Sequence, residues 1–266
     1  MQDYHIHSSF SGDSDMSMDD ACKKAINLKI KEIAFTDHID LYWPGPIKFE
    51  IIDLNQYVST IKSFQEKYQD ELTIKIGVEL GIQPHSSDET KNLIAKTELD
   101  YIIASIHCVD CMDICEEKFF NQKTSYQAYI RYFEEVLHMV ESFEPFSVLG
   151  HIDVIRRYYP NPMERNINYR DFAEILDNIF ISLIRKNKGI EINTSGFRYG
   201  LESFLPSLDF LKRYRQLGGE IVTIGSDAHT SDFVGCKLDQ AIDMIRESGF
   251  KYLTSFNKME PSFIKI

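Results

Sequence analysis

The chain has 266 residues, 43% of them hydrophobic and 26% charged, the balance of a soluble globular protein with ample length for one large α/β domain. Its net charge of −12 argues against a non-specific nucleic-acid binder, which needs a basic face. It leaves room for an anionic substrate, because bound divalent metals invert the local field. The longest apolar stretch, near Asn178 to Ile184, is far too short to cross a bilayer, and the polar residues after Met1 do not read as a signal peptide. Five cysteines with no disulfide spacing suit a reducing, cytoplasmic location.

In chain order, the first motif is Asp3-Tyr4-His5-Ile6-His7. Residues two apart on a strand share a face, so His5 and His7 are expected to aim side by side. A small-residue loop, residues 8–15, carries Asp13 and Asp15. Ser17 then reads as a helix N-cap, with Asp19 and Asp20 in the first turn. Residues 32–36 form a short apolar strand that delivers Asp37-His38. The loop over residues 41–49 holds the only tryptophan, Trp43, beside Pro44-Gly45-Pro46. Asp53 opens a helix with Tyr57, Ile61 and Phe64 on one face. A strand over 73–78 ends at Glu79, and a helix over 88–97 follows. A strand over 101–106 ends at His107.

The cysteine-bearing loop over 108–122 leads to a long helix over 125–142. A strand over 147–149 ends at Gly150-His151, and the loop over 153–168 carries Arg156 and Arg157. A helix over about 169–186, a strand over 189–192 and the run Asn193-Thr194-Ser195-Gly196-Phe197-Arg198 come next. A helix over about 207–217 precedes a strand over 220–224, which runs into Gly225-Ser226-Asp227-Ala228-His229. The last helix is expected to begin near Phe233, with one more short strand after residue 251. Seven strand-then-helix units with no linker predict a single domain over residues 1–266. Strands alternating with helices imply a parallel sheet, here closed into a seven-unit barrel.

Position carries the functional reading. His5, His7, His38, Glu79, His107, His151, Asp227 and His229 fall at six of the seven strands, at or near their C-terminal ends, the face where parallel α/β barrels carry their active sites. His85 and His138 are the two histidines outside this pattern and read as structural or surface residues. Imidazole and carboxylate ligands without thiolate suit zinc, manganese or iron. With Asp13 the set reaches nine ligands, too many for one ion, so two or three divalent metals are expected. Cys108, Cys111 and Cys115 lack a nearby fourth cysteine and read as ordinary loop thiols.

These residues resemble a known family. His5-Ile6-His7, Thr36-Asp37-His38, Glu79, His107, Gly150-His151 and Ser226-Asp227-Ala228-His229 are similar to the motifs of the polymerase and histidinol phosphatase (PHP) superfamily, over about residues 3–249. Gly150-His151-Ile152-Asp153-Val154-Ile155-Arg156-Arg157 and Glu191-Ile192-Asn193-Thr194-Ser195-Gly196-Phe197-Arg198 resemble most its stand-alone histidinol-phosphate phosphatases. The resemblance implies a distorted (βα)7 barrel of the TIM type, with the metal site at the strand C-terminal face. It implies a first metal on His5, His7, Glu79 and Asp227. Glu79 would bridge to a second on His107 and His151, and Asp13, His38 and His229 would hold a third. Asp15 is the alternative to Asp13.

The activity so implied is hydrolysis of a small phosphorylated substrate, most simply L-histidinol phosphate in histidine biosynthesis. A hydroxide between the first two metals is expected to attack phosphorus, with Glu79, Asp227 and His229 in catalytic roles. Arg198 and one or both of Arg156 and Arg157 are expected to clamp the phosphate, because guanidinium offers a planar fork. Asp37, Asp153 and Asn193 are candidates to orient ligand histidines, and Asp40, Tyr42 or Trp43 to read the amine and imidazole. Two rivals keep the metal site. One is a phosphoesterase for a nucleotide, sugar phosphate or phosphotyrosine, and the other a non-catalytic metal-binding regulatory module. No nucleic-acid or membrane partner is expected, and the sequence specifies no oligomeric state.

Overall fold

The computed structural model describes residues 1–45 and 51–266; residues 46–50, part of the Trp43 loop, lie outside the described residues. The strands are β1 (Gln2–Ile6), β2 (Glu32–Phe35), β3 (His38–Ile39), β4 (Thr73–Gly81), β5 (Tyr101–Ser105), β6 (Cys108–Val109), β7 (Met112–Asp113), β8 (Val148–Leu149), β9 (Gly189–Asn193), β10 (Val222–Gly225), β11 (Tyr252–Asn257) and β12 (Glu260–Lys265). The helices are α1 (Met18–Asn27), α2 (Leu54–Lys67), α3 (Ser87–Ile94), α4 (Glu117–Phe120), α5 (Ser125–Ser142), α6 (Ala173–Arg185), α7 (Leu208–Gln216) and α8 (Leu238–Glu247).

Seven strands line up as β1-β2-β4-β5-β8-β9-β10, each paired in parallel with the next. The edges meet where β1 ends. His7 N–H donates to Ala228 O (2.9 Å), and the buried Asp3 carboxylate accepts from Ser226 N (2.8 Å) and Gly235 N (2.9 Å). The result is the expected distorted (βα)7 barrel, because each parallel neighbour is reached through a helical crossover. Sequence caps explain the helix starts: Ser17 accepts from Asp20 N–H, Asp53 from Asn55 and Gln56 N–H, and Thr124 forms a capping box with Gln127.

The faces of the strands divide the core. Ile33, Phe35, Ile74, Ile76 and Val78 point outward under the helices. Tyr4, Ala34, Tyr101, Ile103, Val148 and Ile221 fill the barrel interior with Phe256. A register irregularity in β1 between Asp3 and Ile6 lets Tyr4 join this interior layer while the next residue, His5, faces the site. The expected short strand after residue 251 is a hairpin, β11–β12. It closes the barrel floor: Tyr4 Oη meets Ser255 Oγ (2.9 Å), and Gln2 Nε2 donates to Thr254 O (2.7 Å). With the floor packed, the opposite mouth is the open end. Among the described residues no helix is long and apolar enough to cross a membrane.

Candidate metal centre

At that mouth the strands bring the predicted side chains together. His5 and His7 converge as the two-residue spacing requires, with their Nε2 atoms 3.0 Å apart. Asp227 Oδ1 lies 3.6 Å from His7 Nε2 and 4.0 Å from His5 Nε2. Glu79 is the hub. Its Oε2 lies 3.1 Å from His5 Nε2 and 3.2 Å from His38 Nδ1, and its Oε1 lies 2.9 Å from His151 Nε2 and 3.3 Å from His107 Nε2. It stands within β4, which runs on to Gly81, rather than after the strand. Asp13 Oδ2 is 3.2 Å from His229 Nε2 and 3.7 Å from His38 Nε2; no such contact joins Asp15 to the cluster. His85 and His138 are exposed.

Among the described residues, three overlapping groups bring their donor atoms close enough that each could hold an ion: His5–His7–Asp227, His7–His38–His229 and His38–Glu79–His107, with His7 and His38 each shared by two of them. Imidazole nitrogens about 3 Å apart with carboxylate oxygens between them are the donor set of a divalent cation site. The residues present therefore fit metal ions. No cysteine enters these groups, and all five cysteines are free.

The electrostatics follow from crowding. Burial by itself would lower His5, but the Glu191 and Glu79 carboxylates override it and hold the ring well above its usual range. Burial would raise Glu79, yet His5, His38 and His107 hold it well below the carboxylate range. His7 is pushed well below by burial and then by His229, His38 and His5. Burial opposes but Glu79, Asp40 and Asp13 raise His38 from 6.5 to about 9. A folded-state value above the unfolded one adds stability that is complete below pH 6.5 and disappears as pH rises through 9. His7, held neutral in the fold, offsets that loss only near pH 6.5, where its unfolded form is still half protonated. The melting temperature of chelator-treated protein is expected to fall between pH 6.5 and 9, and added zinc to flatten the slope. A chelated protein whose melting point rises over that window would contradict this.

Two carboxylates that the sequence reading assigned no such role hold the histidines in place. Glu191, inside β9, meets His5 Nδ1 at 2.5 Å and accepts from His151 N–H at 3.0 Å. Asp40 meets His107 Nδ1 at 2.8 Å and His38 Nδ1 at 3.3 Å, which draws its own carboxyl down to about 2 against the effect of burial. Such partners fix ring orientation and tautomer. Glu191 had a visible signature, an acid amid the apolar run Gly189-Ile190-Glu191-Ile192. Gly225 makes room for this pair, since a Cβ there would overlap both His5 Cβ and Glu191 Oε1.

Several expected supports act differently. Asp37 reaches His7 through Ser11, whose hydroxyl donates to Asp37 (2.8 Å) and meets His7 Nδ1 (3.1 Å). Asn193 donates to Glu191 Oε2 (3.2 Å), and Asp153 pairs with Arg156 (2.8 Å). Asp40 is a histidine partner rather than a reader of substrate. Tyr42 is exposed, with its hydroxyl donating to Glu89.

Beside the cluster lies a cavity of about 460 Å³, lined by Glu79, Asp227 and His229 together with Arg157, Arg198, Tyr158, Tyr199, Trp43 and Asp113. The arginines separate here. Arg156 is buried and spent on Asp153, Arg165 O, Asn166 and Ser203. The expectation that it contacts phosphate is corrected, because its donors brace the loop. Arg157 Nη1 lies 3.3 Å from both Ser195 Oγ and Asp227 Oδ2, and its guanidinium stacks on Tyr199. Arg198 donates to Ser226 O (2.7 Å) and Asp227 O (2.6 Å). Those bonds hold Asp227 at φ 54°, a left-handed conformation that a non-glycine residue keeps only when its surroundings fix it.

A parallel (βα)7 barrel with clustered imidazoles and carboxylates at its mouth defines an α/β barrel with a candidate metal centre. The PHP domain model matches residues 3–195, and the chain belongs to the PHP family. It is 33% identical over 259 residues to the histidinol-phosphatase of Lactococcus lactis, covering 97% of this chain and 95% of that protein. It is 30% identical over 251 residues to a probable histidinol-phosphatase of Clostridium acetobutylicum, covering 94% of each. The crystal structure of the Lactococcus lactis histidinol phosphate phosphatase complexed with zinc, L-histidinol and phosphate superposes with a TM-score of 0.91 at 32% identity, covering 98% of both chains.

Proposed function

We propose that this chain is a metal-dependent phosphomonoesterase that converts L-histidinol phosphate to L-histidinol and phosphate in histidine biosynthesis. The observation that carries the reading is the Glu79-centred histidine cluster beside a cavity that holds two arginines. Full-length similarity to histidinol-phosphatases of the same fold supports the substrate. His5, His7, Glu79 and Asp227 would hold a first divalent ion, Glu79, His107 and His151 a second, and Asp13, His38 and His229 a third, loaded with zinc, manganese or iron. Bound ions supply Lewis acidity and make water acidic near neutral pH. Arg157 and Arg198 orient the phosphate against the cluster with donors left over from their protein contacts. Glu191 and Asp40 keep the imidazoles aimed. The Tyr158 and Tyr199 rings narrow the cavity and limit water. All 266 residues act as one domain, and the free cysteines fit a cytoplasmic enzyme.

The test is phosphate release from L-histidinol phosphate beside nucleotides and sugar phosphates, with zinc or manganese restored after chelation. Metal-dependent release favouring histidinol phosphate by about 100-fold or more in kcat/KM is expected. Preference for another phosphoester would overturn the substrate, and silence of the metal-loaded protein would favour a regulatory module.

A further inference from the structure

At His5 and His107 a carboxylate meets Nδ1 directly, Glu191 at 2.5 Å and Asp40 at 2.8 Å. His7 is held differently. Among the described residues no carboxylate reaches its Nδ1, which meets the Ser11 hydroxyl at 3.1 Å. Residues 8–11 form a turn, closed by Ser11 N–H donating to Ser8 O (2.9 Å), that returns this hydroxyl to the end of β1. The fully buried Asp37 ties the turn down. Its Oδ1 accepts from Ser8 N–H (2.6 Å), Ser11 N–H (3.1 Å) and Ser11 Oγ (2.8 Å), and its Oδ2 from Ser8 Oγ (2.9 Å). Ser14 N–H in turn donates to Ser11 O (3.2 Å), so the same knot sets the stretch that carries Asp13.

Counting hydrogens gives this chain a direction. A hydroxyl has one hydrogen to donate and two lone pairs to accept with. Asp37 Oδ1 already takes two backbone N–H groups, so it is an acceptor, and the contact with Ser11 Oγ spends the one hydroxyl hydrogen on it. The Ser11 oxygen accepts from His38 N–H (3.1 Å). Its remaining lone pair can only receive a hydrogen, and the group facing it is His7 Nδ1. We propose that Ser11 and Asp37 are positioning residues, a carboxylate–hydroxyl relay that holds His7 as the Nδ1–H tautomer and leaves its Nε2 lone pair bare for a metal ion. Nε2 faces the cluster, 3.0 Å from His5 Nε2, 3.5 Å from Glu79 Oε2 and 3.6 Å from Asp227 Oδ1. Because His7 is shared by two of the three donor groups, a hydrogen on Nε2 would deny the ring to both. The relay rests on the metal-centre reading for what Nε2 would bind.

The tautomer can be read from proton–nitrogen correlation spectra of the metal-free protein, isotope-labelled at its histidine nitrogens, with His7 assigned by the signal lost in His7→Asn. His7 is expected to carry its hydrogen on Nδ1 in the wild type and in Ser11→Thr, which keeps the hydroxyl, and to lose that preference in Ser11→Ala. Zinc affinity of Ser11→Ala, measured by competition with a chelator, is expected to fall about 10-fold or more, and Ser11→Thr to recover it. A structural role alone would lower the melting temperature of Ser11→Ala and leave tautomer and affinity as they were. A wild-type His7 with its hydrogen on Nε2 would overturn the inference, whether or not any variant folds. So would a folded Ser11→Ala that binds zinc as the wild type does. A wild type that shows the Nδ1–H tautomer but takes up no zinc would overturn the metal-centre reading, and with it the purpose assigned to the relay.

Discussion

Glu79→Gln is expected to strip the cluster of metal and lower phosphate release by about 10³-fold or more. The Glu79 carboxylate lies within 3.5 Å of His5, His7, His38, His107 and His151, and Ser105 Oγ donates to its Oε1 at 2.7 Å. An amide of the same shape keeps the packing but removes the charge and offers N–H groups where acceptors are needed. Metal analysis after dialysis and single-turnover phosphate release measure the two effects together. Full metal content with activity within about tenfold of wild type would remove Glu79 from the centre of the mechanism.

Arg198→Ala is expected to lower kcat/KM for a phosphomonoester by about 100-fold. It takes two charge-assisted hydrogen bonds, about 1.5–3 kcal/mol each, from the carbonyls of Ser226 and Asp227, and it removes the proposed phosphate partner. Arg198→Lys should recover little, because a point charge cannot span two carbonyls and still face an oxyanion. Unchanged KM and turnover in Arg198→Ala would exclude it from the site. Arg156→Ala, by contrast, is a stability variant, since Arg156 is braced within its own loop.

The barrel and the residues clustered at its mouth are legible in the sequence because both obey local rules. Period-two spacing places His5 beside His7, and a short apolar run ending in a histidine or acid repeats at strand after strand. Glu191 escapes because its role depends on His5, 186 positions away in sequence, and no local pattern reports such a contact. Asp40 is visible, but its place just before the Trp43 loop suggests substrate; two residues after His38, it instead meets His107, which follows another strand. Of the adjacent Arg156 and Arg157, a short 3₁₀ turn over Val154–Arg157 sends one into the protein and the other into the cavity, a difference that loop sequence does not encode. The β11–β12 hairpin reads as one strand because its turn lacks the usual glycine: Lys258 and Met259 take the left-handed conformation instead.

The packed floor also orders events in time. Tyr4 and Ser255 touch across 251 positions of chain, and the other end of β1 is fastened by the loop after β10. His5 and His7 therefore leave the ribosome long before the segments that clamp them exist. Contacts of such span form late and slowly, so metal capture and final folding should be one concerted event that follows synthesis of residues 222–256. A nascent chain stalled short of them would present scattered histidines but no assembled site, and a half-made enzyme would leave the cell's zinc alone.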